Sequence, residues 1–328
     1  MRVLTVTPQL PTAARPSSTA PLVRQIRSLR EAGAQVDVLE VKGIKMLKYL
    51  QCLPMLHALA REVDLVHGHY GYCGWLARSQ FGKPVVVSFM GDDLLGTPDD
   101  RGRVGALSKL VVQIDCRLAR AVDAVIVKSA QMASVVARAG VKAQVVPNGV
   151  DMQAFQPMEP CRARELLGWS QEKRYVLFPS SPDIPGKRFA LAQAAVAGAA
   201  PRVDRPLELV KLWSVSPDKV PLYMNACNAM LMTSFLEGSP NVVKEAMACN
   251  LPVVSVPVGD VPELLEGVAN CAICPRDPEA LASALVDVLA SSRRSDGRSA
   301  VVRKGLDQES VARRIMGIYE QVLARRGR

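Results

Sequence analysis

The chain has 328 residues, 49% apolar and 5% aromatic. That is enough for two domains with ordinary cores, and no run approaches the roughly 18–20 apolar residues of a bilayer span. Its net charge of +10 favours anionic partners such as nucleotides, phosphates or an acidic membrane surface, whereas no zinc-finger spacing or RNP-like aromatic pattern points to nucleic acid. From the N-terminus, residues 2–6 predict a strand, followed by the loop TPQLPTAARPSS and a helix over Pro21–Glu31 closed by Gly33. Further strands are expected at 35–41, 64–69, 84–89, 123–127 and 143–146, with helical patterns between them. The pattern restarts after the polar stretch 156–173, with strands at 174–179, 207–212, 229–234, 251–256 and 270–275. Ser216-Pro217 and Asp277-Pro278 each predict a capped helix start, and a last helix covers about 307–325.

Alternation of this kind, with strands mostly apolar throughout, implies parallel sheets covered on both faces. The expected fold is α/β, two Rossmann-like domains in series over 1–157 and 158–306, with ligands where carboxyl ends of strands face each other. A dehydrogenase is excluded, because neither half carries a GxGxxG turn after its first strand. The eight cysteines have no disulfide-framework spacing and read as reduced thiols. With no secretory pattern in MRVLTVTPQLP, a cytoplasmic location is expected.

The stretch SFLEGSPNVVKEAMACNLPVVSV, residues 234–256, carries the most chemistry. A strand ends in Phe235-Leu236-Glu237-Gly238, and Ser239 and Pro240 read as the N-cap and first residue of a helix running to about Asn250. Free amides and the positive helix end then sit at a strand tip, a place that attracts phosphate. Gly238 keeps the backbone accessible. Glu245, six residues past that cap, would lie roughly 9 Å along the axis, the span from a diphosphate to the ribose of one nucleotide. An NDP-sugar fits: ribose on Glu245, diphosphate on the helix start, sugar on Glu237. The same glutamates also read as ordinary capping and dipole residues above a buried stripe of Val242, Val243, Ala246 and Met247.

The segment EGSPNVVKEAMACNLPVVS resembles the E-x7-E signature of retaining glycosyltransferases of the GT-B fold, family 4. VGDVPELL resembles the glycine-bearing loop that follows in that family, and DLVHGHYGYCG, KPVVVSFMGDDLLG and VVPNGVDMQAF resemble its segments elsewhere. The resemblance implies two parallel sheets facing across a cleft, with the last helix packing back on the first domain. It further implies a retaining, metal-independent sugar transfer from a nucleotide diphosphate-sugar to an acceptor hydroxyl in polysaccharide or glycolipid assembly. Glu237 would hold the transferred sugar and Glu245 the ribose. The amides of Gly238, Ser239 and Asn241, beside Pro240, would meet sugar and phosphate. Lys187, in SSPDIPGKRFALA, would neutralise the donor diphosphate with Arg188 assisting. No cofactor beyond the donor is implied, and a UDP-sugar is preferred to the GDP or ADP forms. The acceptor is a glycan, a lipid-linked sugar or a small molecule. Rival readings are a GT-B sugar-nucleotide epimerase and a non-catalytic nucleotide-sugar binding subunit.

On the acceptor side the residues are Ser18, His69, Met90, Asp92 and Asp93, with His69 read equally as a buried, hydrogen-bonded histidine. Met90 stands where the family's histidine contacts the transferred sugar, so a donor lacking a hydroxyl there, a deoxysugar or pentose, is expected; the sugar preference of a Met90→His variant tests this. Between Lys187 and Ala229 one strand replaces the family's two. Cys271-Ala-Ile-Cys274 is a lone CxxC and reads as buried thiols rather than a metal site. The basic amphipathic segment 42–62 reads either as a core-facing helix, the simpler choice, or as a peripheral contact with an anionic inner leaflet.

Overall fold

The computed structural model describes residues 1–12, 19–44, 47–99, 102–291 and 293–326. They divide into two compact units. One comprises Met1–Thr97, Val104–Gly149 and Gln308–Arg328; the other comprises Pro98–Arg103 and Val150–Asp307. The chain passes between them at Gly149–Val150, ahead of residue 157, because Val150 and Phe155 are already buried in the second unit's core.

In the first unit β1 (Arg2–Thr7), β2 (Gln35–Glu40), β3 (Leu65–His69), β4 (Val85–Ser88), β5 (Ala124–Val127) and β6 (Gln144–Val145) form a parallel sheet ordered β2-β1-β3-β4-β5-β6. Between strands run α1 (Ala20–Glu31), α2 (Lys48–Gln51), α3 (Leu53–Arg61), α4 (Gly71–Arg78), α5 (Asp92–Leu95), α6 (Ala106–Ala121) and α7 (Ala130–Ala137). Both β3 and β4 are buried from end to end, and the period-2 alternation of a strand divides their side chains between two cores. Val66, Val85 and Val87 pack with Leu56, Leu76 and Leu118 on one face. Leu65 and Val86 pack on the other with Ile26 and Leu29 of α1 and with Ile315 and Ile318 of the last helix.

The second unit holds β7 (Arg174–Phe178), β8 (Leu207–Lys211), β9 (Ala229–Met232), β10 (Val253–Ser255) and β11 (Ala272–Ile273), parallel in the order β11-β10-β9-β7-β8. Its helices are α8 (Pro160–Leu167), α9 (Phe189–Ala199), α10 (Val220–Ala226), α11 (Asn241–Ala248), α12 (Val261–Leu265), α13 (Pro278–Ala290) and α14 (Gly297–Arg303). The chain then returns as α15 (Gln308–Arg326) to the first unit. All eleven expected strands are present, trimmed at their ends. β8 is the one strand between Lys187 and Ala229.

Two helix starts differ from expectation. Asp277 caps α13 as predicted, accepting from the Ala280 N–H at 2.9 Å. Ser216-Pro217 instead enters a turn closed by the Lys219 N–H on the Ser216 carbonyl, with proline at the second turn position; α10 begins at Val220, with Pro221 as its first-turn proline. Nor does Ser239 cap α11. Its hydroxyl accepts from Lys244 Nζ at 3.0 Å, so Pro240 becomes the residue before the helix and Asn241 its first member.

Candidate active site

The chemistry-bearing residues of the second unit gather where β7, β9 and β10 end. Past β7, Lys187 closes a 3-10 turn and Arg188 adopts a left-handed φ of 55°. The loop is tied to the end of β9 twice. Thr233 Oγ1 donates to the Lys187 carbonyl at 2.8 Å, and the Phe235 N–H donates to the Gly186 carbonyl at 2.9 Å. Lys187 Nζ consequently meets Glu237 Oε1 at 2.5 Å, with side chains 30% and 14% exposed. Both line a cavity of about 140 Å³, together with Ser180, Thr233, Pro240 and Asn241. Asn241 opens α11, where unbonded backbone amides and the helix dipole favour an anion. Its side-chain Oδ1 is buried and has no hydrogen-bond partner among the described residues.

The loop after β10 holds this arrangement from behind. Gly259 has φ 55°, and a Cβ there would lie 2.8 Å from the carbonyl oxygens of both Glu237 and Gly238. Only glycine permits that approach and that backbone conformation together. Beside it Asp260 is buried, which pushes its carboxyl up to about 6 against the opposing pull of the Lys244 ammonium and a hydrogen bond with Ser239. Arg276 donates to the carbonyls of Phe235 (3.2 Å) and Pro257 (3.1 Å), clasping the two strand-end loops. The Arg188 guanidinium lies 4.5 Å from the centroid of the Phe235 ring. Burial, and then the neighbouring Arg188 charge, lower the pKa of Arg276. Neither Arg276 nor Lys244 is marked in the sequence, because their partners are distant backbone carbonyls or a serine that reads as a cap. Gly259 was legible, as the glycine of VPVGD directly after a strand.

Glu245 sits on α11, partly buried, and is not among the residues lining the cavity. With Pro240 as cap it lies five residues on, about 7.5 Å along the axis rather than 9 Å. The CxxC thiols belong elsewhere. Cys271 Sγ accepts from the Val253 N–H at 3.3 Å, and Cys274 Sγ donates to the Ser255 carbonyl at 3.8 Å. Burial pushes both thiols up, Cys271 to about 11. Among the described residues no group of three or more His, Cys, Asp or Glu could hold a metal ion.

In the first unit, Ser18 lies outside the described residues. His69 ends β3 fully buried, its ring centroid 4.2 Å from that of His67, and neither ring nitrogen finds a hydrogen-bond partner among the described residues. Burial, then the neighbouring His67 and Lys128, hold it well below the ordinary imidazole range. His67 is bonded instead: Nδ1 to the Tyr319 hydroxyl of α15 at 2.6 Å and Nε2 to Ser88 Oγ at 2.9 Å. Burial and the Lys128 charge lower it to about 3. The Asp93 carboxylate accepts from the Met90 N–H (3.0 Å) and the Gly91 N–H (2.9 Å), so it braces the turn in which Met90 sits. Burial still raises it to about 6. Asp92, beside it, is exposed.

Comparison with known proteins follows the same division. A family model described as glycosyltransferase family 4 matches residues 28–154, and one described as glycosyl transferases group 1 matches residues 183–291. The D-inositol 3-phosphate glycosyltransferase of Actinosynnema mirum is 30% identical over 242 residues, 61% of this chain and 57% of that protein. Its counterpart in Segniliparus rotundus is 26% identical over 305 residues, 79% of this chain and 66% of that protein. The chain thus spans somewhat under two thirds of the length of these curated relatives. Sucrose-phosphate synthase from Thermosynechococcus elongatus superposes with a TM-score of 0.80 at 18% identity, covering 98% of this chain and 99% of that one. Anabaena HepE in complex with UDP superposes at 0.75 and 18% identity, covering 98% and 100%. At such identities the likeness is one of fold.

Proposed function

Because this chain belongs to glycosyltransferase family 4, with the GT-B fold, we propose that it transfers a sugar from a nucleotide diphosphate-sugar to an acceptor hydroxyl, with retention of anomeric configuration. The observation that carries the reading is the Lys187–Glu237 pair at the mouth of a cavity whose wall includes the start of α11 and the unpartnered Asn241 Oδ1. Breaking the sugar–phosphate bond builds negative charge on the leaving diphosphate. A fixed ammonium and helix amides aimed at that charge stabilise the transition state more than the ground state. In the free site Glu237 holds Lys187; a diphosphate at Asn241 offers the ammonium further anionic oxygens and leaves Glu237 to accept hydroxyls of the sugar. Glu245, one turn further along α11, is assigned to the ribose hydroxyls. Among the described residues that line the cavity Glu237 is the one carboxylate, and Lys187 holds it, which favours attack from the leaving-group face, the departing phosphate taking the acceptor proton. Asp93 and His69, at strand ends of the other unit, are assigned to the acceptor side.

Calorimetric titration with UDP, GDP and ADP, without added metal, tests the assignment. UDP heads the series because a structure of Anabaena HepE holds it. One nucleotide is expected to bind, and Glu245→Ala to weaken it about tenfold through loss of the ribose hydrogen bonds. Binding of none of the three would remove the donor site and the enzyme reading with it. Inositol phosphate, after the relatives' name, is the first soluble acceptor to try.

A further inference from the structure

Three helices of the first unit leave apolar side chains uncovered on their outer faces. On α6, Leu107, Leu110 and Ile114 follow the spacing of one helix face, yet Leu107 is 75% exposed and the others are exposed too. The same helix buries Leu118 and Ala119 against the core, so the stripe is additional to the face that folding uses. On α4, Tyr72 and Trp75 point outward while Cys73, Leu76 and Ala77 are buried. Leu50 of α2 is 62% exposed, and α2 buries no residue at all. These helices are neighbours: Tyr49 of α2 and Tyr72 of α4 have ring centroids 5.9 Å apart, and Trp75 of α4 hydrogen-bonds to Asp115 of α6. The core-facing reading of segment 42–62 holds for Cys52, Leu56 and Ala60, with Tyr49, Leu53 and Leu59 partly buried against the same core.

The rim of this strip is cationic. Among the described residues of 42–62, Lys42, Lys48 and Arg61 are cationic, Lys42 pairing with Glu40, and Glu62 is the one acidic residue. On α6, Lys109, Arg117 and Arg120 are exposed, while its acidic residue, Asp115, is buried. Apolar side chains that enter the headgroup boundary, flanked by cations that meet lipid phosphates, are what an anionic bilayer surface binds. A second copy of the chain would set this cationic rim against itself, which disfavours a symmetric dimer through the same face. Among the described residues no helix is long and apolar enough to cross a membrane, so contact through these helices would be peripheral. We propose that α2, α4 and α6 form a face that docks on an anionic membrane surface.

The test is co-sedimentation with vesicles of equal phosphatidylglycerol and phosphatidylcholine, against vesicles of phosphatidylcholine alone. Binding is expected to the first, at least tenfold weaker to the second, and weakened by raising salt from 50 to 500 mM. Leu107→Glu with Leu110→Glu, and separately Leu50→Glu, are expected to lower partition at least tenfold. All three side chains are exposed, so folding should survive, as a circular dichroism melt would verify. Nucleotide titration should be unchanged, since none of them lines the donor cavity. Three results would each overturn the proposal: no sedimentation with the anionic vesicles at low salt, equal partition of the variants, or a dimer in light scattering that the same substitutions split. Loss of nucleotide binding in the unaltered protein would strike the donor assignment and leave this proposal standing.

Discussion

The two units hold the carboxyl ends of a parallel sheet in place with opposite electrostatics. In the second unit charged groups do it. Arg276 clasps the carbonyls of Phe235 and Pro257, just past the ends of β9 and β10. Lys187 and Glu237 stand paired at the cavity mouth. In the first unit the corresponding groups are buried and driven toward neutrality: His67 and His69 down, Asp93 and Asp115 up. A site built to take up a diphosphate needs fixed cations. A site that positions a neutral hydroxyl is better served by hydrogen-bonding groups that carry no charge of their own. The contrast is what the proposed donor end and acceptor end would each require.

The largest effect expected from this contrast lies at Lys187. Lys187→Met removes the cation that faces the leaving group while preserving much of its volume. Turnover should fall by about 10²–10³, the range for loss of one preorganised charge-stabilising group, with nucleotide affinity falling less. Steady-state transfer assays that separate kcat from KM read this directly. A fall in affinity with kcat untouched would make Lys187 a ground-state contact only and would weaken the contrast.

Much of this was legible in the sequence, and the limits have a physical origin. Strands buried on both faces read as largely apolar runs, so β4, β9 and β10 were plain. Glu237 stands out as charge just past a strand and Glu245 by its spacing along the next helix, whereas Lys187 was assigned through the resemblance alone. What local sequence could not show was competition for a side chain. Ser239 looks like a cap until Lys244 claims its hydroxyl. His67 looks like a site residue until Tyr319, 252 residues away, closes on it. Asp115 carries no motif, yet it lies under Gly71, where a Cβ would come within 2.2 Å of its carboxylate.

Asp115 supplies the next test. Burial, and then the nearby Asp93, raise its pKa from 3.8 to about 7, against a hydrogen bond from Trp75. A carboxyl whose folded pKa is raised contributes stability that is complete below its unfolded pKa and lost as pH rises through the folded one. Here that window runs from about 4 to about 7. His67 acts oppositely. Its folded pKa, about 3, lies below the unfolded value near 6.5, so its contribution is complete above about 6.5 and lost as the pH falls toward 3. Subtracting the variant from the parent isolates the aspartate. Asp115→Asn retains an acceptor for Trp75 without a charge to bury. It should leave stability unchanged near pH 4 and raise it by about 4 kcal/mol at pH 8, each pK unit being worth about 1.4 kcal/mol. Amide hydrogen exchange of β3 and β4 measures this within the first unit. A difference between variant and parent that does not vary with pH would show that Asp115 is ionised in the fold.

The smallest effect tests how the neutral site is braced. Tyr319→Phe keeps the ring of α15 in the core and deletes the hydroxyl bonded to His67 Nδ1. The imidazole nitrogen is then left buried and unpaired, which costs about 1–2 kcal/mol. His67→Leu alone strands the tyrosine hydroxyl and Ser88 in the same way. The double variant should cost less than the sum of the two, since replacing both partners by apolar groups removes the imidazole and the phenol hydroxyl together and leaves Ser88 alone stranded. Hydrogen exchange in β3 and α15 gives all four corners of the cycle. A coupling near zero would mean that α15 is held to the first unit by its apolar stripe of Ile315, Ile318 and Val322 alone, with the Tyr319–His67 bond contributing nothing to the docking. A coupling of about 1 kcal/mol would make the last helix a structural part of the first unit's strand-end site. Loosening α15 would then be felt at His69, whose ring is stacked on the imidazole that Tyr319 holds.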